Sequence, residues 1–180
     1  EEGERETLEL EIDKIPYEIV PGVTAALAAA AYLGITLSQR DHSSTITLLD
    51  SQGNDGIDTL SLDFKQHANS KGTLCVYSYL DHLPRIVNDL KEGGMVGNMP
   101  IAVIECATFN YQYSIFSTLG TVLSDLKTYR STTGAPAIFI IGEVVLKRTK
   151  DNWFESRPLY GKRIVVTRAR EQAGDLSKLL

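Results

Sequence analysis

The segment Val20-Pro21-Gly22-Val23-Thr24-Ala25, which runs straight into an alanine-packed stretch, constrains this chain more than any other. Tyr17 to Val20 reads as a short strand, and Pro21 ends it because proline donates no ladder hydrogen bond. Gly22 permits a turn closed to other residues and leaves bare backbone for another molecule to approach. Thr24 is placed to N-cap a helix from Ala25 to Leu33, and Gly34 to close it. Strand, turn and methyl-walled helix together predict a crevice lined mostly by main chain, with the positive end of the helix facing it.

The 180 residues suffice for one core of ordinary size, or for a domain plus a fragment. Hydrophobic residues make up 43% and charged residues 23%, as in globular proteins. A net charge of −5 argues against nucleic acid or an anionic membrane as partner, but leaves room for an anionic small molecule met by a local Arg or Lys. Cys75 and Cys106 sit in apolar strand-like runs without a CxxC pair, which predicts two free thiols in a reducing, cytoplasmic setting. His42, His67 and His82 lack metal-ligand spacing, so no metal is expected. The longest apolar run, Ala135 to Val145, is too short to cross a bilayer and carries Glu143. Glu143 follows Gly142 at a strand end and reads as a turn-capping group. The acidic start lacks Met, and the chain is read as beginning inside something longer.

Further along, strands are expected at Thr45 to Leu49, Thr73 to Tyr77, Ile101 to Glu105, Gln112 to Thr118 and Ala137 to Ile141. Thr7 to Asp13 reads equally as helix or strand. Leu60 to Ser70 is expected to contain a short helix, Arg85 to Lys91 a helix, and Thr121 to Arg130 another through Val122, Leu123, Leu126 and Tyr129. Near-continuous apolar strands alternating with helices predict an α/β layered fold, and the close pair at Ile101 and Gln112 makes its sheet mixed. Trp153 to Gly161 changes character, as a domain exit would. Ile164 to Thr167 then reads as a strand, and Arg168 and Arg170 open a helix: the first strand and helix of a second α/β domain, cut short.

Several blocks, in order, resemble the tetrapyrrole methylase family, and within it the uroporphyrinogen-III C-methyltransferases. They are Tyr17 to Ala26, Gly34-Ile35-Thr36-Leu37 with Arg40-Asp41, Thr73 to Tyr77, Pro100 to Glu105, Ala135 to Val145, and Trp153-Phe154. The tail, Pro158 to Gln172, resembles the opening of uroporphyrinogen-III synthases. The resemblance implies a tetrapyrrole methylase lobe over 1–155, a linker at 156–161 and a truncated synthase-like start at 162–180. Glu1-Glu2 resemble the end of the family's glycine-rich loop, which puts the catalytic groups upstream. It also implies S-adenosylmethionine as cofactor, S-adenosylhomocysteine as product, a tetrapyrrole substrate and a homodimer.

By the same resemblance the cofactor is held through main chain at Thr24, Ala25, Ser78 and Ala107, and Arg40 with Asp41 meets substrate carboxylates. An acidic chain that takes a polycarboxylate needs such cations facing its cleft. Four positions depart from the family pattern. Ser78 stands where Met is usual, Ala107 where Gly is usual, Gln39 where His is usual, and His42 where an aromatic is usual. The reading that follows is C-methylation of uroporphyrinogen III to precorrin-2. The departures keep two alternatives open: a non-catalytic lobe serving the fused synthase, and a methylase acting on a later precorrin.

Overall fold

The computed structural model describes residues 2–40, 43–51, 62–129, 134–149, 152–167 and 174. The elements are α1 (Glu2–Ile12), α2 (Ala25–Leu33), β1 (Ile46–Asp50), β2 (Thr73–Ser78), α3 (Leu83–Glu92), β3 (Pro100–Glu105), β4 (Tyr113–Thr118), α4 (Val122–Asp125) and β5 (Ala137–Ile141). Short 3-10 turns cover Phe64–His67, Leu80–His82 and Glu143–Lys147.

One five-stranded mixed sheet runs in the order β1-β2-β5-β3-β4. β1 and β2 are parallel, while β5 is antiparallel to both β2 and β3, and β4 to β3. The last strand in sequence thus lies at the centre, and β3 and β5 are buried at every position. Burial from both sides explains their unbroken apolar character. On one face Ala26, Ala29, Ala30 and Leu33 of α2 pack against Cys75, Ala102, Ile104, Ile138 and Ile140. On the other, Leu83, Ile86, Val87 and Leu90 of α3 meet Leu74, Val76, Ile101, Val103 and Phe139. Those four α3 residues follow the helical spacing that puts side chains on one stripe. The αβα layering expected from the sequence is therefore present.

Four sequence expectations are corrected. Tyr17 to Val20 forms no strand: residues 15–24 lie in no helix or ladder, and Ile19 and Val20 are 72% and 80% exposed. A strand needs a neighbour for its backbone groups, and no described residue supplies one. Gly22 does not adopt a left-handed backbone. The helix expected from Thr121 to Arg130 is one turn, Val122–Asp125, because Lys127 and Tyr129 close three-residue bonds to Ser124 and Leu126 instead of continuing it. Ile164 to Thr167 likewise forms no strand, with Val165 78% exposed. The helix read from Arg168 and Arg170 lies outside the described residues.

Trp153 to Gly161 folds back onto the domain. Phe154 is buried, and the Trp153 indole donates to the Ala31 carbonyl at 3.1 Å. Tyr32 and Tyr160 stack edge-on against the Phe154 ring.

Candidate functional site

The sheet directions bring the carboxyl ends of β1, β2 and β3 to one edge, together with the starts of β4 and β5. The pairing register puts Ser78, Ala137, Glu105 and Tyr113 in one row along that edge. Open α/β sheets bind ligands beyond the carboxyl ends of their strands.

α2 enters the same edge by its N-terminus. Thr24 occupies the N-cap position, but its side chain makes no capping bond. Its carbonyl accepts from Leu27 and Ala28, while the Ala26 N–H donates to the Tyr77 phenol oxygen at 3.2 Å. A side chain on β2 therefore does the work expected of Thr24 and ties the helix start to the sheet. Gly34 closes α2 as expected, in a left-handed conformation, with the Ile35 N–H reaching the Ala30 carbonyl at 2.8 Å. The Pro21–Thr24 bend is open: a Cβ added at Gly22 would meet nothing within 4 Å.

Of the four main-chain positions, Thr24 and Ala25 are exposed at the start of α2, and Ala107 is half-buried beyond the end of β3. Ser78 is fully buried, and its hydroxyl pairs with His82 Nδ1 at 3.2 Å. Its side chain is thus turned into the layer of α3, and only its main chain lies at the strand end. Ala107 sits between two left-handed residues, Cys106 (φ 52°) and Thr108 (φ 75°), but has no positive φ of its own. Its methyl in place of the family's usual glycine therefore costs no backbone strain. Arg40 is exposed in a turn closed by two backbone bonds between Gln39 and Ser43, at 2.8 and 2.9 Å. Asp41 and His42 lie outside the described residues.

Two features of this edge escaped the sequence reading. Glu105 is 2% exposed and accepts from the Tyr129 phenol at 2.5 Å, while Tyr129 stacks flat on Tyr113 at 3.6 Å. Burial, then the Glu105 carboxylate, push the Tyr129 hydroxyl far above its ordinary pKa, so it stays a donor. A charged residue closing an unbroken apolar strand was the available signal. Beside Tyr129 a cleft of about 530 Å³ opens between Leu80, Pro84, Leu123 and Leu126, with Asp81 and Lys127 as its charged groups. Its size suits a nucleoside-sized ligand.

Cys75 is buried and Cys106 half-buried, and neither is in a disulfide. Among the described residues no His, Cys, Asp or Glu cluster fits a metal ion, and no helix is long and apolar enough to cross a membrane.

The profile of the Tetrapyrrole (Corrin/Porphyrin) Methylases matches residues 2–123. The chain belongs to the tetrapyrrole methylase family. Among its relatives, the porphyrin biosynthesis protein HemD of Ruminiclostridium josui is 35% identical, over 93% of this chain and 33% of that protein. The uroporphyrinogen-III C-methyltransferase of Bacillus subtilis is 32% identical, over 92% and 34% respectively. The chain thus spans about a third of the length of the curated relatives it matches. The uroporphyrin-III C-methyltransferase of Thermus thermophilus, solved in complex with S-adenosylhomocysteine, is 25% identical with a TM-score of 0.63. That match covers 81% of this chain and 61% of the Thermus protein. For a tetrapyrrole methylase, the edge holding Thr24, Ser78 and Ala107 is the part of the fold to test for ligand binding.

Proposed function

We propose that this tetrapyrrole methylase chain belongs to an enzyme that transfers a methyl group from S-adenosylmethionine to ring carbons of uroporphyrinogen III. The product is precorrin-2, on the route to sirohaem and cobalamin. In this reading the main chain at Thr24, Ala25, Ser78 and Ala107 holds the cofactor, and Arg40 with Asp41 meets substrate carboxylates. A planar guanidinium exposed on a turn fits a carboxylate's two oxygens. The methylase is joined to uroporphyrinogen-III synthase through residues 156–161 and works as a homodimer in the cytoplasm.

One observation carries the reading: the Tyr77 phenol pins the start of α2 to the edge where Ser78 and the Cys106–Thr108 turn end their strands. The main chain of a helix start and of two strand ends is then gathered at one edge, which suits the polar groups of a nucleoside. The cofactor supplies an electrophilic sulfonium methyl, and this chain's residues orient it against the pyrrole carbon and keep water away. The relative solved with S-adenosylhomocysteine supports the choice of ligand.

Calorimetric titration of S-adenosylhomocysteine into the full-length protein tests it. Saturable binding at one site per chain is expected, with methyl transfer to uroporphyrinogen III. Absence of binding would overturn the proposal.

A further inference from the structure

The Cys106–Thr108 turn is held from outside the sheet. Thr108 is β-branched and left-handed at φ 75°, a conformation such residues occupy only when their surroundings enforce it. Its N–H donates to Gln112 Oε1 at 2.9 Å. Gln112 is 5% exposed, and its Nε2 donates to Glu155 Oε1 at 2.7 Å. The same Glu155 oxygen accepts from Ser114 Oγ at 2.7 Å, and Oε2 accepts from Asn152 Nδ2 at 2.7 Å. The Gln112 carbonyl in turn accepts from the Tyr160 hydroxyl.

We propose that Glu155 is a positioning residue for the cofactor-binding turn, acting through the Gln112 amide on Thr108. This rests on the proposed role of Ala107 in holding the cofactor. A carboxylate can only accept, so it fixes which end of the Gln112 amide faces it. The Gln112 oxygen is thereby aimed at the Thr108 N–H. With the carboxylate gone the amide is free to turn over and present its NH₂ group to that N–H, and the side-chain bond that holds Thr108 left-handed is lost. Glu155 itself is placed by the aromatic docking of Trp153 and Phe154 against Ala31 and Tyr32. The segment after the sheet is therefore part of the site's support, and whatever moves that segment moves the turn.

The test is a mutant cycle in the full-length protein, read by titration of S-adenosylhomocysteine, with folding checked by far-UV circular dichroism. Glu155→Ala weakens binding about tenfold, the population change that relaxing one left-handed non-glycine residue produces. Glycine adopts that conformation freely. On a Thr108→Gly background the same Glu155→Ala change therefore weakens binding less than about threefold. If Glu155→Ala does not fold, Glu155→Gln replaces it in the cycle. Equal losses on both backgrounds, or no loss in Glu155→Ala, overturn the relay while the cofactor assignment stands. A wild type that binds no S-adenosylhomocysteine overturns both.

Discussion

Replacing Tyr77 by Phe isolates the tether between α2 and the sheet. The phenol oxygen lies 3.2 Å from the Ala26 N–H, and Ala26 is fully buried. The Thr24 side chain offers no alternative acceptor. A buried donor stripped of its partner costs about 1–3 kcal/mol. The missing hydroxyl leaves room for water near a helix end, which places the loss in the lower part, about 1–2 kcal/mol. For a chain of this length each kcal/mol lowers Tm by about 2–4 °C, so a fall of about 2–8 °C is expected. Thermal unfolding followed by far-UV circular dichroism measures it. Tyr17→Phe is the control, since among the described residues that hydroxyl bonds only the exposed Glu11 carboxylate, and it should stay within about 0.5 kcal/mol of wild type. S-adenosylhomocysteine affinity should fall in Tyr77→Phe and not in the control, because the loosened α2 start carries Thr24 and Ala25. If the two variants melt together, the tether is not what holds the helix.

Gly22→Ala should leave stability unchanged within about 0.5 kcal/mol, since its backbone is ordinary and a Cβ there meets nothing within 4 Å. If a ligand approaches that bare backbone, S-adenosylhomocysteine binding weakens about tenfold all the same; unchanged binding would remove Gly22 from the site. Burial pushes the Cys75 thiol from 9.0 to about 12. The unfolded thiol ionises first, so stability from this group is complete below pH 9 and is lost as pH rises toward 12. Urea unfolding at pH 8 and pH 10 should show that loss in wild type and less of it in Cys75→Ala. An equal loss in both would exclude Cys75 as its source.

Local chemistry made much of the architecture legible. The unbroken apolar runs of β3 and β5, the four-residue stripe of α3 and the Gly34 stop to α2 each carry their own signal. Burial, helical spacing and left-handed backbone are properties of a few adjacent residues. Ser78 and Ala107, far apart in sequence, fall at one sheet edge because the register of β2, β5 and β3 aligns their strand ends, and the Tyr77 phenol ties the α2 start with Thr24 and Ala25 to it. The sequence misled where structure depends on a distant partner. Tyr17 to Val20 and Ile164 to Thr167 have strand-forming side chains, yet a ladder requires a neighbour that propensity does not provide.

By itself, then, the sequence determined which segments are apolar on which faces, where α2 stops, and which family the chain belongs to. Only the tertiary structure decided that β5 inserts between β2 and β3, and that a tyrosine caps α2 in place of Thr24. It also brought Glu155, read as the approach to a linker, against Gln112 beneath the site. The reason is physical: periodicity and backbone preference act over a few residues, whereas strand order, tertiary hydrogen bonds and strained turns are set by groups as far apart in the chain as Leu74 and Ile141 or Ala31 and Trp153.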